Sequence, residues 1–284
     1  MPRVSVIVIS FDSSREGNVP HLLEDAQKQT VKDQELCVIH HVSPNGRARN
    51  EGIRKTSGEF LIFLDDDVRL GHEKVFENLL RPFEENEKVG MTGGSIRIPP
   101  DANFLMRRLG SELPRWQAPL VKSPTESDLV TTACCAIPRE VFEKVGLFHE
   151  ELLRGVDPEF RARLRRSGYK IILMADTYFF HPLPRTLRGL VSFSVARGMA
   201  AGYGARYYPE LQYEVPPVGK ESWKERRSLS YRFFRKVWSI LRSLLTFKFL
   251  RLIADLSYAI GFLAFYLKAL CTHDQKGSHC AKTS

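Results

Sequence analysis

Residues 58–67 of this chain read GEFLIFLDDD. The apolar run in this segment is short and continuous, which is typical of a strand buried on both faces of a sheet. Three carboxylates, Asp65, Asp66 and Asp67, follow it directly. Adjacent carboxylates repel one another and resist burial, so a fold tolerates them at the end of a buried strand mainly where a cation neutralises them.

The spacing of these carboxylates indicates which of them share a ligand. Alternate residues of an extended chain face the same side, so Asp65 and Asp67 are predicted to converge while Asp66 points away. Carboxylate oxygens are ligands that Mg²⁺ and Mn²⁺ prefer. An acidic surface turn is the alternative interpretation, because a motif this short also occurs by chance.

Strand-like and helical patterns alternate along the chain on both sides of this motif. The predicted strands are residues 4–9, 35–42, 59–64, 89–98 and 170–174. The predicted helices are about residues 20–31, 47–56, 72–85, 139–145 and 158–167. This alternation predicts an α/β fold with a parallel sheet, covering helices and ligands at the carboxyl edge of the strands. Residues 99–128 are Pro-rich and aperiodic, so they are predicted to form a long loop.

The composition excludes several classes of protein. With 284 residues, of which 43% are hydrophobic and 26% charged, the chain is suited to a sizeable core, unlike disordered, collagen-like or disulfide-stapled chains. Its five cysteines have no metal-ligand spacing, and Cys134 and Cys135 are adjacent, which favours free thiols in a reducing compartment. The first residues lack the features of a secretory signal peptide, so we expect a cytoplasmic protein.

The positive charge is concentrated late in the chain. The formal net charge is +9, residues 1–219 carry equal numbers of acidic and basic residues, and residues 220–251 carry a net charge of +8. A nucleic-acid-binding protein usually has its basic surface on the folded domain itself, so no nucleic-acid partner is expected. A basic segment that follows a neutral domain favours an anionic membrane surface as the partner.

The chain is predicted to divide into a domain at residues 1–215 and a helical tail at residues 216–284. Residues 231–249 have apolar and basic side chains at helical spacing, which predicts a basic amphipathic helix at a membrane surface. Residues 256–267 carry no charge but are too few to span a bilayer as a helix, so they are predicted to be interfacial or re-entrant. The alternative is an apolar helix that packs on the preceding domain.

A series of motifs extends in order over about residues 3–185. They are VSVIVISFD at residues 4–12, ARNEGI at 48–53, GEF at 58–60, FLDDD at 63–67, REVFEKVGLF at 139–148, GVD at 155–157 and RLRRSGYKI at 163–171. In this order they resemble the family 2 glycosyltransferases, which use nucleotide-activated sugars. The resemblance implies the GT-A fold, a Rossmann-like three-layer α/β/α domain with a mainly parallel sheet, and an inverting reaction.

The resemblance also implies the roles of individual residues. The nucleotide-sugar donor would be bound by Ser10, Phe11, Asp12, Arg47, Arg49, Asn50, Asp65 and Asp66. Mg²⁺ or Mn²⁺, bound by Asp65, Asp67 and His181, would neutralise charge on the departing nucleoside diphosphate. Asp157 would act as the general base that removes the proton of the acceptor hydroxyl. For His181, a structural role is the alternative.

Some positions depart from the family's pattern. His40 and His41 stand where an acidic pair commonly reads the base of the donor, so the base stays open. Val156 stands in place of the glutamate before the general base. Processive members carry a Q-x-x-R-W element after the base. Here Arg115-Trp116 precede the base and lack the glutamine, which favours a non-processive enzyme.

Together these features predict an inverting, non-processive, metal-dependent glycosyltransferase bound peripherally to the cytoplasmic face of a membrane. It would transfer a sugar to a hydroxyl of a lipid-linked or cell-envelope glycan. One alternative is a polyprenyl-phosphate sugar synthase, whose lipid-phosphate acceptor needs no hydroxyl deprotonation. A second alternative is a catalytically inactive nucleotide-sugar-binding module, which the departures at His40, His41 and Val156 favour.

Overall fold

The computed structural model describes residues 2–12, 17–113, 120–213 and 228–271. Their strands are β1 (Val4–Ser10), β2 (Gln34–His40), β3 (Phe60–Asp65), β4 (Arg69–Leu70), β5 (Val89–Arg97), β6 (Thr125–Glu126), β7 (Cys134–Pro138) and β8 (Lys170–Phe180). Their helices are α1 (Asn18–Gln27), α2 (Asn45–Lys55), α3 (Val75–Glu85), α4 (Phe104–Glu112), α5 (Arg139–Val145), α6 (Val156–Arg166), α7 (Leu187–Tyr207), α8 (Leu229–Leu245) and α9 (Phe249–Cys271), with a short 3-10 helix at Pro209–Leu211.

The strands form one sheet in the order β2-β1-β3-β7-β5-β8-β4, with β6 paired to β8. The five longest strands (β1, β2, β3, β5 and β8) run in one direction, and β7 runs antiparallel to both of its neighbours. In the parallel pair β1–β3, Ile9 lies opposite Asp65. The Asp65 N–H donates to the carbonyl oxygen of Ala133, just before β7, at 3.1 Å. The residues after β1 and β3 and those before β7 therefore meet at one edge.

Apolar side chains fill both faces of the sheet. On one face, Ile7, Phe63 and Phe160 belong to a buried cluster that includes residues of α2, α5 and α6. On the other face, Val8 and Phe76 belong to a buried cluster that includes residues of α1 and α3. Because neighbouring residues of a strand face opposite sides, the continuous apolar run of β1 supplies both clusters. The result is the three-layer α/β/α arrangement that the resemblance implied.

Two helices, α4 and α7, are absent from the sequence-based prediction. α4 lies within residues 99–128, which were predicted to form a loop. Its Met106 and Leu109 are fully buried in a cluster shared with Leu190 of α7 and Ala254 of α9. A short helix of this kind is stabilised by tertiary packing more than by its own sequence. α7 was not predicted at all, because its 21 residues include four glycines, which are weak helix formers.

The C-terminal helix α9 crosses α7 at very close range. A Cβ atom at Gly198 would lie 2.1 Å from the carbonyl oxygen of Tyr258, and one at Gly261 would lie 2.1 Å from that of Val195. Such an approach of two helix backbones requires residues without a side chain. α9 therefore packs on the preceding domain. The predicted domain boundary after residue 215 lies outside the described residues and stays a prediction.

α9 is longer than the sequence predicted, with 23 residues. Asp255 lies inside it, and its carboxylate accepts hydrogen bonds from Lys236 at 2.6 Å and from Ser239 at 2.7 Å, both on α8. Because these partners compensate the charge, the helix continues through Asp255 and extends well beyond the predicted apolar segment at residues 256–267. By length and composition alone, Phe249–Leu267 is able to cross a membrane, a property that core helices of soluble proteins share. Only 22% of this segment is buried within the protein.

We expect Gly198→Leu to push α7 and α9 apart and to destabilise the protein. A side chain at this position meets the backbone of Tyr258, which cannot swing aside, and overpacking typically costs about 1–3 kcal/mol. The midpoint of thermal unfolding should therefore fall. Ala196→Leu, at an exposed position of the same helix, is the matched control and should leave the midpoint nearly unchanged. An unchanged midpoint for Gly198→Leu would contradict the close crossing.

Candidate active site

Asp65 is the last residue of β3 and has a buried cation beside it. The Arg49 side chain on α2, only 3% exposed, donates a hydrogen bond to Asp65 Oδ1 at 2.7 Å. Burial raises the pKa of Asp65, Arg49 opposes this rise, and the carboxylates of Asp67 and Asp157 reinforce it. The carboxylates of Asp67 and Asp157 thus lie close enough to Asp65 to repel it, and Arg49 pairs directly with Asp65.

Asp67 and His181 form a compact donor group with Asp65. One ligand atom of each lies within 4.8 Å of the others, and His181 Nε2 is 3.5 Å from Asp67 Oδ1. His181 Nδ1 is 3.0 Å from the carbonyl oxygen of Pro182, which only accepts, so Nδ1 carries the proton. Nε2 faces the carboxylates and is the nitrogen that would bind a cation. Two carboxylates and one imidazole suit Mn²⁺ or Mg²⁺, so the residues present fit a divalent cation.

Asp66 turns away from this donor group, as the alternation along the chain predicted. Its Oδ2 accepts a hydrogen bond of 2.8 Å from the Ser10 hydroxyl, and its main-chain carbonyl accepts one of 2.8 Å from Asn18. These contacts tie the end of β1 and the start of α1 to the loop after β3. Asp12 is exposed, two residues after Ser10. A role of Ser10, Asp12 and Asp66 in donor binding stays a prediction.

Asp157 is fixed in the first turn of α6 by Thr132. Its Oδ1 accepts a hydrogen bond of 2.6 Å from the Thr132 hydroxyl, and its Oδ2 accepts one of 3.3 Å from the Thr132 N–H. Thr132 is buried two residues before β7, so the sheet determines where it lies. Gly155 precedes the helix with φ of 89°, a left-handed conformation that favours glycine. The carboxylate of Asp157 is thus held near the edge that carries Asp65.

Sequence reasoning missed Thr132 and the segment around it. Arg161 of α6 donates a short hydrogen bond to the main-chain carbonyl of Val130, and its Nε lies 3.7 Å from Asp128 Oδ1. These contacts fasten residues 128–132 to the helix that carries Asp157. A threonine in an aperiodic stretch has no local signal of this role, because its partner lies 25 residues away.

Two of the predicted donor-binding residues contact the loop after α5. Asn50 is fully buried, donates to the carbonyl oxygen of Phe148 at 2.8 Å and accepts from the Phe148 N–H at 3.0 Å. Its amide is committed to the protein's own backbone, which favours a structural role over the predicted contact with the donor. Arg47 is half-exposed, and its Nε lies 3.9 Å from Glu150 Oε2. Its donor contact stays a prediction.

Aromatic side chains lie beside the carboxylate edge, at the ends of β1 and β2. The two strands pair in parallel, with Ser10 opposite His40. The Phe11 side chain is 65% exposed, and its ring centroid lies 6.2 Å from that of His41 in an edge-to-face arrangement. The predicted donor-binding residue Phe11 and the unexpected histidines are therefore neighbours. Exposed aromatic faces of this kind are suited to stack on a nucleotide base.

Comparison with known families agrees with the motifs and the sheet. The model named Glycosyl transferase family 2 matches residues 4–146, half of the chain. The chain belongs to the family 2 glycosyltransferases. The motifs from VSVIVISFD to REVFEKVGLF fall largely within the matched range, and GVD with Asp157 follows it.

Two curated relatives of this family 2 chain are an O-antigen biosynthesis protein and a glycosyltransferase. It is similar to the O-antigen biosynthesis protein RfbC of Myxococcus xanthus, with 27% identity over 195 residues, 63% of this chain and 15% of RfbC. It is similar to an uncharacterized glycosyltransferase of Haemophilus influenzae, with 25% identity over 207 residues, 59% of this chain and 65% of the relative. The chain spans less than two thirds of the length of each of these relatives.

A solved structure shows the fold of this family 2 chain. The mannosyltransferase PcManGT from Pyrobaculum calidifontis, in complex with GDP-Man and Mn²⁺, aligns with a TM-score of 0.50 and 16% sequence identity. The alignment covers 99% of this chain and 79% of that one. The likeness confirms the GT-A fold that the sequence resemblance implied.

We expect His181→Gln to weaken the binding of Mn²⁺ at least about tenfold, because an amide replaces the imidazole lone pair that faces the two carboxylates. Titration calorimetry with Mn²⁺ measures the affinity. The matched control is His21→Gln at an exposed position of α1, which should bind Mn²⁺ as the wild type does. Equal affinity for wild type and His181→Gln would leave the histidine with a structural role.

Proposed function

We propose that this chain is a metal-dependent, inverting, non-processive glycosyltransferase of glycan biosynthesis. The observation that carries the proposal is the convergence of Asp65, Asp67 and His181 at the sheet edge, with Asp157 close enough to raise the pKa of Asp65. A nucleotide-sugar brings a diphosphate to this edge, and a divalent cation offsets the repulsion between it and the carboxylates. The GDP-Man and Mn²⁺ of the solved mannosyltransferase support the same class of donor and cation.

The proposed reaction is a single displacement with one base. The cation, when bound at Asp65, Asp67 and His181, supplies stabilisation of the negative charge on the departing diphosphate. Asp157 removes the proton of the acceptor hydroxyl as the hydroxyl oxygen attacks the anomeric carbon and the bond to the diphosphate breaks. Thr132 orients Asp157 by binding both of its oxygens. Attack opposite the leaving group inverts the configuration of that carbon.

The donor base is proposed to stack on Phe11 and His41. The exposed ring of Phe11 follows β1 directly, next to Ser10 and the loop that carries Asp66. Stacking on an aromatic face tolerates different bases, which fits a chain that has histidines where an acidic pair commonly reads the base. Arg115 and Trp116, whose position in the sequence favours a non-processive enzyme, lie outside the described residues.

Attachment to the cytoplasmic face of an anionic membrane belongs to the same proposal. α8 exposes Phe233, Phe234 and Trp238, each more than 60% exposed, and carries basic residues such as Arg232 and Arg235. Exposed aromatic and basic side chains on one helix favour an anionic membrane surface. Residues 220–227, which hold the remaining part of the basic segment, lie outside the described residues. The name of RfbC supports a lipid-linked or cell-envelope glycan as acceptor.

We expect a donor screen followed by Asp157→Asn to test the reaction. Thermal unfolding with UDP-, GDP- and dTDP-sugars plus Mn²⁺ should identify a stabilising donor, and EDTA should remove the effect because the diphosphate then meets uncompensated carboxylates. With that donor, Asp157→Asn should lower the transfer rate by about 10²–10⁴-fold while it leaves donor binding nearly intact, because the amide cannot accept the hydroxyl proton.

The control for this variant is Asp101→Asn, an exposed carboxylate paired with Arg185 on the surface. It should transfer at the rate of the wild type. Full activity of Asp157→Asn would exclude this aspartate as the base and favour the polyprenyl-phosphate synthase, whose acceptor needs no deprotonation. Donor stabilisation that survives EDTA would contradict the metal bridge.

We expect the full chain to co-sediment with vesicles that contain phosphatidylglycerol and to bind weakly to pure phosphatidylcholine. High salt should weaken the binding only in part, since salt does not screen burial of apolar side chains. Phe234→Ser and Trp238→Ser should weaken it further, because both side chains are exposed on α8. Leu36→Ser, an exposed apolar residue of strand β2, is the matched control. Equal sedimentation of all variants would contradict attachment through α8.

A further inference from the structure

The turn between α8 and α9 exposes a group of large apolar side chains. Leu244 and Leu245 are the last residues of α8, Phe247 lies in the turn and Phe249 is the first residue of α9. Each of the four is more than half exposed. The ring centroids of Phe247 and Phe249 lie 6.0 Å apart in an edge-to-face arrangement. We call these four residues the apolar tip. Large apolar side chains that are exposed together mark an interaction surface.

Phe247 occupies a backbone position that favours glycine. Its φ is 53°, in the left-handed region. Its N–H donates to the carbonyl oxygen of Leu244 at 3.3 Å. The N–H of Lys248 donates to the carbonyl oxygen of Ser243 at 2.9 Å, which completes the hydrogen-bond pattern of a Schellman motif. Helices that end in this motif usually carry glycine at the position of Phe247. Phe247 is 69% exposed, so its ring adds little packing that would offset the backbone strain.

The start of α9 holds the apolar tip in a fixed position on the domain. Leu250, the residue after Phe249, packs against the buried cluster that α4, α7 and α9 share. The buried carboxylate of Glu112 on α4 accepts a hydrogen bond of 2.9 Å from the Arg251 N–H in the first turn of α9. The apolar tip is therefore a preorganised projection, which reduces the loss of conformational freedom when a partner binds.

The outward side of α9 continues this apolar surface. Within residues 251–267, every exposed residue is apolar; they are Leu256, Ile260, Leu263, Ala264 and Leu267. At the spacing of an α-helix the four larger side chains fall within about 60° of one another, on the side away from Gly261, which contacts α7. A surface helix in water carries polar residues on its outward side. The outward side of α9 is thus suited to an apolar environment.

Basic side chains accompany the apolar tip and indicate its partner. Lys248 stands between Phe247 and Phe249 in the chain, and Arg242 is exposed in the last turn of α8. Residues 228–254 contain no acidic residue. Cationic side chains next to an apolar group match an anionic leaflet, where lipid phosphates lie next to acyl chains. A second copy of the chain would bring like charges together, which disfavours it as the partner.

We propose that the apolar tip enters the acyl-chain region of an anionic membrane leaflet. The inference rests on the membrane attachment in the proposed function and names the part of the chain that enters the apolar layer. α9 then lies in the membrane interface and does not cross the bilayer, because its other side stays packed on α7. The strain at Phe247 is retained because an exposed aromatic ring at this position gains burial among the acyl chains.

Phe247→Gly separates the two effects of this phenylalanine. Glycine adopts a φ of 53° without strain, so the midpoint of thermal unfolding should rise. Loss of the ring should weaken co-sedimentation of the full chain with vesicles of phosphatidylcholine and phosphatidylglycerol about tenfold or more. The loss should persist at high salt, because salt does not screen burial of apolar side chains. Phe247→Trp keeps an aromatic ring at the apolar tip and should bind as the wild type does.

Asp176→Gly is the matched control. Asp176 is exposed on β8 and also has a left-handed backbone, with φ of 49°. Its substitution by glycine relieves the backbone in the same way. Vesicle binding should not weaken, because Asp176 lies outside the C-terminal helices.

Two results would overturn the proposal. One is vesicle binding of Phe247→Gly equal to that of the wild type. The other is a wild-type dimer in sedimentation analysis that Phe247→Gly disrupts, because the apolar tip would then contact a second copy. If Phe247→Gly binds vesicles normally while Trp238→Ser binds weakly, the proposed attachment through α8 stands and the insertion of the apolar tip fails. Mn²⁺-dependent donor binding by each variant is the separate readout of the proposed glycosyltransferase function.

Discussion

Repulsion among carboxylates at one edge of the sheet is the constraint on which the rest of the site depends. Asp65 and Asp67 stand at the end of β3, between β1 and β7, and Asp157 approaches from α6. Like charges this close disfavour one another strongly where water is excluded. Arg49 supplies one compensating charge from inside the protein, at 2.7 Å from Asp65. The negative charge that remains is what makes the edge suited to a divalent cation and a diphosphate together.

The position of Arg49 depends in turn on how α2 is anchored. The next residue, Asn50, exchanges two hydrogen bonds with the backbone of Phe148, and Gly46 lets the same loop come close, since a Cβ there would lie 2.1 Å from the carbonyl oxygen of His149. That loop continues to Asp157. Helix α2 therefore carries Arg49, which pairs with Asp65, and also contacts the loop that leads to Asp157.

The C-terminal helices extend this arrangement away from the sheet. α9 lies against α7 through backbone contact at Gly198 and Gly261, and α8 binds Asp255 of α9 through Lys236. The same packing places Tyr258 beside Arg154, the residue that links these helices to the loop before α6. The exposed apolar surface of α8 and the loop that precedes Asp157 are thus linked through the packing of α8, α9 and Arg154.

The sequence by itself determined the α/β layers, most element positions and the convergence of Asp65 with Asp67, because alternation along a buried strand is a local property. The ordered motifs also pointed to the family and to Asp157 and His181. Only the tertiary structure decided that Thr132 holds Asp157, that Asn50 is used by the backbone, and that α4, α7 and α9 pack together. Each of these depends on contacts between residues far apart in the chain, and neither a threonine in a loop nor a glycine-containing helix carries a periodic signal of its partner.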